Sequence, residues 1–266
     1  MLYLLQSLFI NNWRVLRIFK SITIRASIAF IIAFMFMLIF GKPFIKWLKK
    51  KKYGDTAREE GPQSHFNKSG TPTMGGLLII GAIIFSTLIA GNFTNKFIIF
   101  LFIITILFTT IGFYDDYLKL TRHKNGLSGK KKILGQLVIT ALTFAFIYKY
   151  GIINKTLDFS IVNPLIKGSF IYITPALFFV FMLFVIIGSS NAVNLTDGLD
   201  GLCSSVTVIV AIFFMLIGLK SGFSVTPFTG AVIGSLMGFL IFNAYPAKVF
   251  MGDTGSLALG GFVASY

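Results

Sequence analysis

Residues 174–219 read TPALFFVFMLFVIIGSSNAVNLTDGLDGLCSSVTVIVAIFFMLIGL. Both flanks, roughly 174–190 and 203–219, are apolar and approach the ~20 residues that a helix needs to cross the hydrocarbon of a bilayer. The twelve residues between them, 191–202, instead hold two asparagines, two aspartates and two glycines. Hydrocarbon offers backbone N–H and C=O groups no partner, whereas a helix satisfies its own. The stretch therefore reads as two membrane helices joined by a tight polar turn.

Runs of similar length lie outward from it at roughly 22–41, 74–91, 97–113, 133–150 and 227–242, and an eighth begins near Ser256 and reaches Tyr266. Hydrophobic residues make up 55% of the 266 and charged residues only 12%, the balance of an integral membrane protein. The runs are too long for soluble strands, and no period-2 alternation marks an outer-membrane barrel. The expected fold is all-α: a single polytopic transmembrane helical bundle over 1–266. Residues 1–20 carry Arg14, Arg17 and Lys20 without a small-residue cleavage site, so they read as an interfacial or first-helix segment, not a removable signal.

Positively charged connections stay cytoplasmic, and consecutive connections alternate sides. Connections 42–73, 114–132, 191–202 and 243–255 together hold fifteen Lys and Arg, whereas 92–96, 149–173 and 220–226 hold five. The first set is expected to be cytoplasmic and the N-terminus periplasmic. This topology accounts for the net charge of +15, including KKKK at 49–52, with no need for nucleic acid as a partner. Anionic headgroups or an anionic substrate remain natural company for such a face.

Eight of the nine acidic residues fall in the cytoplasmic set. Five are aspartates where apolar runs end: Asp115 and Asp116, Asp197 and Asp200, and Asp253. Three separated segments thus deliver carboxylates to one membrane face. Adjacent carboxylates repel unless a cation or shared proton offsets them, and oxygen-only ligands suit Mg²⁺. Phosphate-binding parts lie beside them. Lys119 is one turn from Asp115 if the helix continues, GLSGKKK at 126–132 ends in Lys132, and Lys68 precedes SGTPTMGG at 69–76. In that stretch Pro72 can open a helix capped by Thr71, with free N–H groups facing an anion. Carboxylates, lysines and helix N-termini together describe metal-dependent phosphoryl transfer.

Other chemistries lack their motifs. The chain has no G-x-x-x-x-G-K-[ST] and no G-x-G-x-x-G after a strand, and DGLDG lacks the ligand pattern and closing Glu of an EF-hand. Cys203 is the lone cysteine and reads as a packing residue, and His65 and His123 lack the companions of a zinc site. Gly230, Gly234 and Gly238 share a helix face and are expected to pack inside the bundle.

The stretches EEGPQSHFNKSGTPTMGG (59–76), FYDDYLKL (113–120), NAVNLTDGLDGL (191–202) and AYPAKVFMGDTGSLALGG (244–261) together resemble the phospho-N-acetylmuramoyl-pentapeptide transferase family. That family lies within the polyprenyl-phosphate N-acetylhexosamine-1-phosphate transferases. The resemblance spans essentially the whole chain. It implies a multi-pass enzyme of the bacterial inner membrane that moves phospho-MurNAc-pentapeptide from UDP-MurNAc-pentapeptide to undecaprenyl phosphate, giving lipid I and UMP. It further implies Mg²⁺ as cofactor and a homodimer in the lipid bilayer. By the same resemblance Asp115, Asp116 and Asp253 are catalytic, with Asp253, Asp116 and Asn194 on the metal. Lys68, Lys119 and Lys132 match phosphate-holding residues, and Asn191, Asn194, Asp197 and Asp200 match a nucleotide-sugar loop with Asn243 nearby. Thr71 joins the substrate-binding candidates through its expected cap.

Two mechanisms fit: direct attack of the lipid phosphate after Asp115 takes its proton, or a covalent intermediate on an aspartate. The family's chains carry a His-rich motif and further helices beyond the match. These 266 residues are therefore expected to be a C-terminally truncated form with about eight of the family's ten helices, and loss of that part of the site would leave an inactive fragment. The alternatives are a sister transferase for GlcNAc-1-phosphate, against which SHFNKSGTPTMGG argues, and a transporter, which would want its ionisable residues near the bilayer midplane.

Overall fold

A computed structural model describes residues 2–3, 14–51, 71–122, 126–152, 159–163 and 165–266. The apolar runs fold as helices α1 (Ile22–Lys50), α2 (Gly76–Ala90), α3 (Lys96–Arg122), α4 (Gly129–Phe146), α5 (Pro175–Thr196), α6 (Leu202–Ser221), α7 (Thr226–Asn243) and α8 (Asp253–Ser265). A 3-10 turn at Arg14–Lys20 precedes α1, and a π turn at Ile147–Ile152 extends α4. Six of the eight are long and apolar enough to cross a membrane; α2 and α8, at 15 and 13 residues, are shorter. The described residues thus form an all-α, multi-pass membrane bundle. Its small strand pair, β1 (Ser160–Val162) and β2 (Phe170–Tyr172), is antiparallel with Ile161 opposite Ile171, and connects α4 to α5.

Local chemistry sets several helix ends. Thr174 accepts the Leu177 N–H ahead of Pro175 at the first turn of α5, a standard N-cap. Gly222, at φ 68°, closes α6 in the left-handed conformation that glycine adopts freely. The helices α1 and α3 run 29 and 27 residues, about 43 and 40 Å at 1.5 Å per residue. Both outreach the ~30 Å of hydrocarbon, so their polar C-terminal turns emerge together.

The helix α7 is the buried axis: 83% of its apolar window is inside the protein, against 17–39% for the other spans. Its glycines make this possible. A Cβ on Gly230 would strike the Ala26 carbonyl, one on Gly234 the Phe30 carbonyl, and one on Gly238 would sit 2.5 Å from Met37 Cβ, so α1 packs backbone against backbone. The short helix α8 is equally enclosed, with Gly260 against Ser190 of α5 and Gly261 against the Phe108 ring of α3.

Two expectations are corrected. Pro72 does not open a helix and Thr71 does not cap one. The Pro72 carbonyl accepts the Phe250 N–H (2.8 Å), and Gly75 and Gly76 donate to the Phe250 and Met251 carbonyls (2.8 Å each). The anion-ready N–H groups are thereby spent on residues 250–251, and α2 begins at Gly76 after Met74 turns at φ 71°. Nor is 191–202 one polar loop: α5 continues through Thr196, leaving a turn of 197–201. Lys68 lies outside the described residues.

Candidate active site

Where α3 emerges, Asp115 and Asp116 are adjacent and Lys119 stands one turn on. The start of α8 docks against the same helix, because Gly112 leaves room: a Cβ there would strike the Asp253 carbonyl. Asp116 then receives the first N–H groups of α8, accepting from Asp253 N (3.2 Å), Thr254 N (2.9 Å) and Thr254 Oγ1 (2.6 Å). A helix start leaves such donors orphaned and carries positive dipole, so a buried carboxylate there is well placed. Gly252, at φ 75°, makes the turn into α8 and donates its N–H to Asp197 (2.9 Å), fixing the end of α5 to the same point.

The three carboxylates Asp115, Asp116 and Asp253 offer oxygens within 4.8 Å of one another. Two ammonium groups lie among them. Lys119 Nζ is 2.6 Å from Asp115, 3.1 Å from Asp253 and 3.9 Å from Asp116. Lys132 Nζ, from the first turn of α4, is 2.6 Å from Asp253 and 3.4 Å from Asp115. Asp115 also accepts the Leu127 N–H (2.7 Å), which ties the entry to α4 onto the cluster. Asp115 and Asp116 are buried, while Asp253 keeps 14% side-chain exposure. Burial pushes the Asp253 carboxyl upward, but the Asp115 carboxyl and the Lys119 and Lys132 ammoniums outweigh it and hold the group well below the usual carboxylate range. At Asp197, burial prevails over the Gly252 hydrogen bond, and Asp116 and Asp253 add repulsion, raising the group to about 8.

Three converging carboxylates already surrounding a cationic nitrogen form a donor set that fits a metal ion, and its hard oxygen ligands suit Mg²⁺ or a similar divalent cation. The loop candidates make their own contacts, of which those of Asp197 and Asn194 reach the start of α8. Asn194 accepts from Ser256 Oγ (2.7 Å) on α8. Asn191 donates to Gln136 Oε1 (3.0 Å) on α4 and to the Ile187 carbonyl. Asp200 accepts the Ala247 N–H (3.0 Å). Asn243 is buried: its oxygen accepts from Gly201 N (3.1 Å) and Ser204 Oγ (3.3 Å), and its Nδ2 donates to the Val249 carbonyl (3.0 Å). Its amide fastens the 197–201 turn to the chain that leads into Asp253. Thr71 is partly buried next to Pro72, whose carbonyl pairs with Phe250.

Four contributors were not singled out in the sequence. Thr254 and Ser256 follow Asp253 directly, where GDTGS reads as a helix start with two hydroxyls. Gln136, fully buried in a membrane run, carries its own signal: a polar side chain at such a depth is costly and seldom idle. Gly112 gave no cue, because a single glycine in an apolar run does not say what approaches it.

Comparison with known proteins places this architecture among relatives. Residues 97–266 match Glycosyl transferase family 4, and residues 68–80 match phospho-N-acetylmuramoyl-pentapeptide-transferase signature 1. A phospho-N-acetylmuramoyl-pentapeptide-transferase of Fusobacterium nucleatum is 44% identical over 268 residues, covering 93% of this chain and 73% of its own. Proteins of the same name from Leptospira biflexa and Bacillus licheniformis are 42% and 44% identical, covering 94% and 88% of this chain and 74% and 72% of theirs.

Proposed function

The chain belongs to the phospho-N-acetylmuramoyl-pentapeptide transferase family, and from that premise we propose how its own residues serve the family's reaction. It is a membrane-embedded glycosyl-1-phosphate transferase of peptidoglycan synthesis, making lipid I from UDP-MurNAc-pentapeptide and undecaprenyl phosphate with release of UMP. The observation that carries the assignment of roles is the convergence of Asp115, Asp116 and Asp253 around Lys119 and Lys132.

An anionic lipid phosphate must meet an anionic pyrophosphate, so the site has to screen their repulsion. Mg²⁺, when bound, supplies charge neutralisation and polarises phosphoryl oxygens. Asp253, the most exposed of the three carboxylates, would hold it with Asp115 at its side, and Asn194 accepts a hydrogen bond from Ser256 in the first turn of the helix that begins at Asp253. Asp116, saturated by the α8 N-terminus, holds the platform in place. With the carboxylates engaged by a divalent ion, Lys119 and Lys132 would be available to contact phosphate oxygens, and Lys68 would serve the same role. Asp115 accepts the proton of the lipid phosphate. The phosphate oxygen then bonds to the β-phosphorus of the donor, the bond from that phosphorus to the bridging oxygen breaks, and UMP departs with the bridging oxygen. Asn191, Asp197 and Asp200 hold the donor's sugar and nucleotide side, and Thr71 flanks it.

The lysine and arginine balance supports an inner-membrane placement with the site facing the cytoplasm and the N-terminus outside. The signature match over 68–80 favours the peptide-bearing donor over UDP-GlcNAc. A direct test offers each donor with radiolabelled undecaprenyl phosphate and separates the lipid products. Product from UDP-MurNAc-pentapeptide alone is expected, and product from UDP-GlcNAc alone would overturn the donor assignment.

A further inference from the structure

The outer face of α1 carries a feature the transfer reaction does not use. Phe36, Phe40, Pro43, Phe44 and Trp47, with Leu78 of α2, line an apolar cleft of about 310 Å³. Pro43 lies inside the helix, where it supplies no backbone N–H, and its ring is part of the cleft lining. On its other side α1 is pinned to the bundle, since Gly41 sits against the Phe242 ring. The aromatic rings are ordered among themselves, with Phe36 4.6 Å from Phe40 and 5.5 Å from Phe85, and Phe44 5.6 Å from Trp47. Phe40 and Trp47 nevertheless remain about half exposed, at 47% and 45%.

The dimensions and charge of this cleft select an occupant. From Phe36 to Trp47 is eleven residues, about 16 Å along the helix, close to half of the ~30 Å hydrocarbon core. That is the depth of one leaflet. Lys50 and Lys51, both exposed, follow Trp47 by three and four residues, so they continue the same helix face just above the aromatic stripe. An apolar slot one leaflet deep, topped by two cations and an interfacial tryptophan, matches one acyl chain and one anionic headgroup. A polyprenyl chain would outrun it.

We propose that the α1 cleft from Phe36 to Trp47, with Lys50 and Lys51, is a binding site for a single anionic phospholipid of the leaflet on the active-site side. The site bears on the reaction centre through Leu78. That residue lies in the first turn of α2, two residues after Gly76, whose N–H holds the Met251 carbonyl ahead of Asp253.

The test uses the full chain, delipidated in detergent and offered equimolar phosphatidylglycerol and phosphatidylcholine with identical acyl chains, read by native mass spectrometry. One phosphatidylglycerol retained with about tenfold preference or more is expected, as two lysines near an anionic headgroup provide. Lys50→Gln with Lys51→Gln should bring the two lipids to parity. Lys42→Gln with Lys49→Gln, removing equal charge from the opposite flank of α1, should leave the preference intact. No preference in the parent, or equal loss in both double variants, would overturn the site. So would displacement of the bound lipid by undecaprenyl phosphate at a lower concentration than phosphatidylglycerol requires.

Discussion

Asp116 and Asp253 share one cluster, yet their hydrogen bonds separate their parts in it. Asp116 is buried and receives three donors from the first turn of α8. Asp116→Ala would strand those donors without water, at about 1–3 kcal/mol for each group left unpaired. A clear fall in thermal unfolding temperature is expected together with lost activity. Asp253→Asn keeps the shape and removes the charge that Lys119 and Lys132 pair with. Turnover should drop about 10²–10³-fold, the scale seen when one preorganised electrostatic partner is removed, with the unfolding temperature little changed. Asp197 adds a pH signature. Its group is raised to about 8, so the folded chain favours the protonated form. That stability is fully present below the ordinary carboxylate range near 4 and is lost as pH climbs through 8. In unfolding scans from pH 5 to 8, Asp197→Asn should lose less stability than the parent, and parallel losses would refute the burial account.

At the scale of elements, the site depends on how closely α8 lies on α3, and Gly112 sets that distance. Gly112→Ala forces the Asp253 backbone to shift. A displacement near 1 Å at a reacting centre can cost about a hundredfold in rate, so UMP release should fall by that order while circular dichroism shows helix content unchanged. The helices themselves were legible because length and apolarity decide a membrane span almost alone. The aspartates were legible because carboxylates at emerging helix ends have few structural uses in common. Two boundaries were not. Asn191 and Asn194 look like turn residues, but Gln136 and Ser256 on other helices give their amides partners, and α5 runs on through them. Thr71 and Pro72 look like a helix start, but residues 250–251 take the backbone donors that would have begun it. Both are long-range pairings that local sequence does not encode. Asn243, which the resemblance sets beside the nucleotide-sugar loop, also makes long-range contacts: its amide fastens the 197–201 turn to Val249.

For the whole molecule, a buried glycine-lined axis in α7 carries a polar platform at one end of the bundle. Gly234→Leu would drive a side chain into the Phe30 carbonyl, and poor recovery of folded protein is expected in detergent, read by size-exclusion chromatography. The platform presents three carboxylates and two ammoniums, an arrangement that a divalent cation can enter and that phosphates can then approach. The measurement that bears most directly on this account is UMP release by the purified chain in lipid bilayers, supplied with UDP-MurNAc-pentapeptide and undecaprenyl phosphate and titrated with Mg²⁺, alongside Asp253→Asn. Release that rises with Mg²⁺, stops with chelator and falls by at least a hundredfold in the variant is the predicted result. Release that persists under chelation, or that Asp253→Asn leaves unchanged, would contradict it.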